Sequence, residues 1–247
     1  MALLITFLLG LFILLGAAIT RATHNHHMIE QVSIAVAFGA LATLALTDLL
    51  PEAVENLGES PWMPLIIVVC ILIGIGILRG LDHFIPDHDD ERLASHHECT
   101  EDNALHIGIM TAIAVTLHNL IEGMTVYSVA AESLQSGLLV ALGVGLHNIP
   151  MGMIIYATLQ QETRNKKIAL MAAVTLSTFV GGLAMHSLWF AIGPFQVGIL
   201  IALTLGMIAY LVLFELLPHL LHSESKKTAG LGVIIGVAIV LVSASLG

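Results

Sequence analysis

Eight stretches of about twenty mostly apolar residues recur along this chain, at 2–20, 31–51, 62–80, 105–129, 134–158, 168–190, 195–221 and 229–246. A helix needs about 20 such residues to cross the hydrocarbon core of a bilayer. Within that core every backbone N–H and C=O must be bonded inside the protein, which leaves helices and closed barrels. The runs are continuous and lack strict alternation, which disfavours a barrel. The expected fold is an all-α integral membrane protein with eight transmembrane helices, forming one domain over residues 1–247. Its composition agrees: 57% of residues are hydrophobic and 11% charged, against about 45–50% and about 25% in soluble domains. The first run has no cation before it and Arg21 after it, so it reads as a retained helix and not as a signal peptide.

The cations set an orientation. Arg21, Arg79, Arg92, Arg164, Lys166, Lys167, Lys226 and Lys227 all fall on one side when eight spans are counted. The positive-inside rule makes that side cytoplasmic and both termini extracytoplasmic. Much of the net charge of −10 lies in "LDHFIPDHDDERLASHHECTED" (81–102), the loop between helices 3 and 4. His83, His88, His96, His97 and Cys99 mix there with acidic residues, and His24, His26 and His27 lie on the same side. Neither cluster has the paired spacing of a structural zinc site, so both read as weak metal-capture sites beside a solvated loop (81–104). Cys70 and Cys99 form no disulfide pattern, and a chain this acidic is not expected to bind nucleic acid.

The fourth and fifth runs break the apolar pattern. "LHNLIEGM" (117–124) places His118 and Glu122 at i and i+4, on one helix face, with Asn119 beside them. A carboxylate near the bilayer centre costs roughly 2.5–3.5 kcal/mol or more, so it faces protein or a watery cavity and marks function. "LHNIPMGM" (146–153) nearly repeats the first stretch. His118 precedes Val129, the end of helix 4, by eleven residues, and His147 follows Ser136, the end of the intervening turn, by eleven. At equal rise per residue the two His-Asn pairs lie at one depth. His118, Asn119, Glu122, His147 and Asn148 thus converge near the membrane centre, and imidazole with carboxylate suits Zn²⁺ and similar divalent ions. Pro150 frees the carbonyl of Leu146, a feature tolerated at this depth where backbone lines a cavity.

A second repeat lies outside this pair. Helix 2 ends "ALTDLLPEA" (45–53) and helix 7 ends "VLFELLPHL" (212–220). The two helices run in opposite senses, so acid-Leu-Leu-Pro stands at the outer mouth in one and the inner mouth in the other. This predicts an inverted repeat of helices 1–3 and 6–8 around a central 4–5 pair, a 3+2+3 bundle. Asp48 and Glu52 then line the entrance, and Glu215 and His219 the exit.

These motifs resemble the ZIP (Zrt/Irt-like) metal transporters of the bacterial-type branch. The resemblance covers essentially the whole chain, through "LLPEA", "LDHFIP", "HNLIEG" and "HNIPMG". It implies divalent-metal uptake toward the cytoplasm, with Zn²⁺ as the substrate and Cd²⁺, Fe²⁺ or Mn²⁺ as alternatives. It also implies a multi-pass location in the cell membrane. A first metal site is implied from His118, Glu122 and His147, and a second from Asn119 and Asn148 with a ligand from helix 6. The chain departs from the family at Ile121, usually proline, and at Met151, usually a glutamate bridging both sites. The family's helix 6 glutamate is replaced by Met185 or His186. One well-built site and a crippled second one are expected. The softer donors favour Zn²⁺ or Cd²⁺ over Mn²⁺ and Ca²⁺. The rivals are an intramembrane zinc hydrolase, which lacks an H-E-x-x-H motif and has no use for the repeat, and a membrane metal sensor. The small-residue face "GVIIGVAIV" (232–240) suits either a helix of the same chain or a homodimer partner.

Overall fold

Apolar runs of this length, with no water to hydrogen-bond, close their backbone bonds internally as helices. The computed structural model describes residues 1–23, 26–83, 101–159, 162–188, 192–223 and 225–245, with backbone alone at 26–27 and 101–104. Among them are eight helices long and apolar enough to cross a membrane. They are α1 (Ala2–Ala22), α2 (Met28–Leu57), α3 (Met63–Asp82), α4 (Leu105–Glu132), α5 (Leu134–Thr158), α6 (Arg164–Leu188), α7 (Pro194–Leu221) and α8 (Lys226–Ala244). No strand occurs among the described residues.

The helices fall into two packed groups. In one, α4 and α5 lie against each other, with α1 on α5 and α6 on α4. In the other, α8 lies on α2 and α3 on α7. Exchanging 1 with 6, 2 with 7, 3 with 8 and 4 with 5 maps these pairings onto themselves, the symmetry expected of the 3+2+3 repeat.

Glycines set the spacing, because a bare Cα lets backbones meet. A methyl at Gly16 would lie 2.1 Å from the Ile149 oxygen, and one at Gly152 would lie 2.0 Å from that of Ile13. The symmetry-related α4–α6 crossing repeats the device: Gly123 faces the Thr178 oxygen at 1.9 Å and Gly181 that of Leu120 at 1.8 Å. Gly74 and Gly206 do the same between α3 and α7, and Gly39 and Gly236 between α2 and α8. The small-residue face of α8 is therefore consumed by α2 of the same chain.

The acid-Leu-Leu-Pro motifs share a local distortion. Ala45–Leu49 in α2 and Leu211–Leu216 in α7 are π-helical. The Leu50 amide reaches back to the Ala45 carbonyl and that of Leu217 to Val212, each one residue before a proline. A proline has no N–H to continue the α ladder, and the wider turn re-bonds the carbonyls upstream. Asp48 and Glu215 both sit inside these turns.

Candidate metal site

α4 carries His118 and Glu122 on one face, and α5 brings His147 to them. His147 Nε2 lies 2.7 Å from Glu122 Oε1, and His118 Nε2 lies 3.4 Å from the same oxygen. One donor atom from each of the three residues falls within 4.8 Å of the others, close enough to hold one ion. Both histidines are 2% exposed. Asn148 Nδ2 donates to Glu122 Oε2 at 3.4 Å. The other ring nitrogen of His147, Nδ1, lies 3.4 Å from Ser243 Oγ on α8, and that hydroxyl donates to the Gly143 carbonyl.

Buried polar atoms normally find partners, so the ones that do not are informative. Asn119 and Asn148 are fully buried, and the side-chain oxygen of each lacks a hydrogen-bond partner. Both sit next to a site histidine in sequence and offer the hard oxygen a cation accepts. Asn119 Nδ2 is engaged elsewhere, on the Val174 carbonyl at 3.4 Å.

The three donors form the deep end of a cavity of about 510 Å³. Asp48 and Glu52 of α2 line its wall, and Glu55, Val129, Val140 and Ala244 line it where it reaches the face carrying the chain termini. A neighbouring cavity of about 560 Å³ shares Glu52 and Glu55 and adds Glu132 and Met185. The expected entrance residues thus share one space with the expected ligands.

The other two expected ligands are His186 and Met151. His186 is exposed at the end of α6, where Nδ1 is hydrogen-bonded to Tyr127 Oη at 2.6 Å. Met151 is fully buried in the apolar core, one turn beyond His147. Helix α6 passes α4 with Gly181 against the Leu120 carbonyl, too close for any side chain there. Arg164–Leu188 contains no Asp or Glu, so α6 offers no carboxylate to Asn119. His24, His88, His96, His97 and Cys99 lie outside the described residues; His83 caps α3, its amide on the Arg79 carbonyl at 3.3 Å.

Near the opposite face a second group assembles that the sequence did not reveal. His106 Nε2 of α4 lies 2.9 Å from Asp82 Oδ1 of α3 and 3.8 Å from Glu215 Oε1 of α7. Tyr210 donates to Asp82 Oδ2 at 2.9 Å. His219, the other expected exit residue, bonds the Glu215 carbonyl through Nδ1 at 2.8 Å. Asp82 is the second residue of the "LDHFIP" stretch, but no spacing pairs it with His106 or Tyr210. Ser243 was missed for the same reason, being a lone serine far along the chain from His147.

The family model described as ZIP zinc transporter matches residues 82–244. Among curated relatives, the "Zinc transporter ZupT" of Chlorobium luteolum is 31% identical, over 98% of this chain and 96% of the relative. That of Xanthomonas axonopodis pv. citri is 32% identical, over 88% and 84%. That of Corynebacterium aurimucosum is 28% identical, over 87% and 84%.

Proposed function

The chain belongs to the ZIP zinc transporter family, and from that premise we infer that it takes up Zn²⁺ across the cell membrane through the His118–Glu122–His147 site. It is a multi-pass transporter and not an enzyme. The observation that carries the site assignment is the convergence of two imidazoles and one carboxylate at the deep end of a cavity walled by Asp48 and Glu52. Acidic walls concentrate a dication at the mouth. The buried histidines and Glu122 then replace its water with nitrogen and oxygen donors, a set suited to zinc. Asn119 and Asn148 stand beside that set as neutral oxygen donors. With the cation-rich loops inside, the cavity opens outward and the ion leaves past Glu215 and His219.

Cd²⁺ is the closest competitor for so soft a donor set, and Fe²⁺ and Mn²⁺ the weaker ones. Zinc flux into proteoliposomes containing only this protein, run with each competitor, tests the reading. Saturable uptake should be lost in His118→Ala and in Glu122→Ala at equal insertion. Near-normal uptake in both variants would remove the site assignment.

A further inference from the structure

The two hydrogen bonds of Ser243 fix more than a side-chain position. A serine hydroxyl has a single hydrogen, and that of Ser243 is committed to the Gly143 carbonyl. Toward His147 Nδ1, 3.4 Å away, the oxygen can therefore only accept. The contact exists only when Nδ1 carries the ring hydrogen. The 2.7 Å contact of Nε2 with Glu122 Oε1 then needs one further hydrogen between them, on the ring or on the carboxyl, and a dication that displaces it meets the Nε2 lone pair while Nδ1 keeps its hydrogen. His147 and Ser243 are almost fully buried, at 2% and 3% exposed.

We propose that Ser243 is a positioning residue for zinc: it holds His147 in the one tautomer that turns Nε2, and not Nδ1, to the ion. This rests on the site reading given above and adds a residue to it. Ligating histidines characteristically donate their second N–H to a fixed acceptor, and loss of such an acceptor costs about 10–100-fold in affinity. Here the acceptor stands on α8, while the ligand stands on α5 in the other group of helices. The orientation of a ligand is thus set from outside the group that carries it. The Gly143 carbonyl, one turn before His147 on α5, closes the arrangement by taking the hydroxyl hydrogen that would otherwise be offered to the ring.

Two measurements test this on the full-length protein. In ¹⁵N-histidine-labelled protein in detergent, the imidazole resonances missing from His147→Ala identify His147. With zinc bound they should show Nε2 ligated and Nδ1 carrying the hydrogen in wild type and in Ser243→Thr, which keeps the hydroxyl, and a mixture in Ser243→Ala. In proteoliposomes, Ser243→Ala should raise the KM for zinc at least tenfold with kcat within about twofold, and Ser243→Thr should recover most of that loss. A zinc-bound wild type with Nδ1 ligated, or a Ser243→Ala protein with unchanged ligating nitrogen and KM, overturns the proposal. A His147→Ala protein that transports normally would instead show that the site reading itself is wrong.

Discussion

Two groups of histidine and carboxylate lie along α4 with opposite compositions. The central one has two histidines and a single acid, His118, His147 and Glu122; the other has two acids and a single histidine, Asp82, Glu215 and His106. Twelve residues of helix separate His106 from His118, about 18 Å at 1.5 Å per residue. Ile107, Met110, Ala114 and Val115 of α4 are buried between them. The central group borders a cavity and has unpartnered amide oxygens next to it. The other turns its donors on itself, with His106 and Tyr210 both on Asp82. The same residue types thus serve two ends: one arrangement borders a cavity and can admit an ion, and the other ties α3, α4 and α7 together through His106, Asp82 and Glu215.

The largest contrast should come from the matched pair Glu122→Gln and Glu215→Gln. Losing the single acid of the central group should remove measurable zinc binding in detergent. Losing Glu215 should leave one bound zinc while slowing uptake. Calorimetric stoichiometry of the two variants decides it, and equal loss of binding in both would erase the distinction. His106→Ala should have a smaller, structural effect. Hydrogen bonds to a charged partner contribute roughly 1.5–3 kcal/mol, and His106 and Asp82 are only partly buried. A fall of a few degrees in the melting temperature is expected, with zinc affinity within about threefold of wild type. A large loss of affinity would mean that the two groups are coupled. Asp48→Asn should act least: it weakens the field at the entrance, raises KM a few-fold at low salt and does little at 0.15 M, where screening sets in within about 8 Å. An effect that persists at high salt would make Asp48 a ligand.

What the sequence disclosed follows the range of the interactions. The eight spans are legible because each is a local run of apolar residues. The meeting of His118 with His147 is legible because two near-identical stretches flank one short turn at equal distances. The acid-Leu-Leu-Pro repeat is legible by comparison of two segments. The Asp82–His106–Glu215 group draws on three helices, and Ser243 meets His147 across 96 residues of chain; no periodicity encodes such meetings. The α6 contribution is less legible for another reason: Arg164–Leu188 carries no carboxylate, and backbone meets backbone where Gly181 crosses α4.

The paired π-helical turns have a consequence for phase. Each holds one residue more than an α-helix would use to bring the following segment to the same face. Deleting a single residue, such as Leu46 in α2 or Leu213 in α7, both exposed, would let the ladder close as plain α-helix. That deletion would keep the helix beyond it on the same face, whereas closing the ladder as α-helix with every residue retained would turn that helix by about 100° and carry it about 1.5 Å further. In α2 that rotation swings Glu52 off the cavity wall; in α7 it swings Glu215 off His106. The wide turn therefore works as an indexing tooth, setting which face of the acid-proline segment looks inward while leaving the first half of each helix in register.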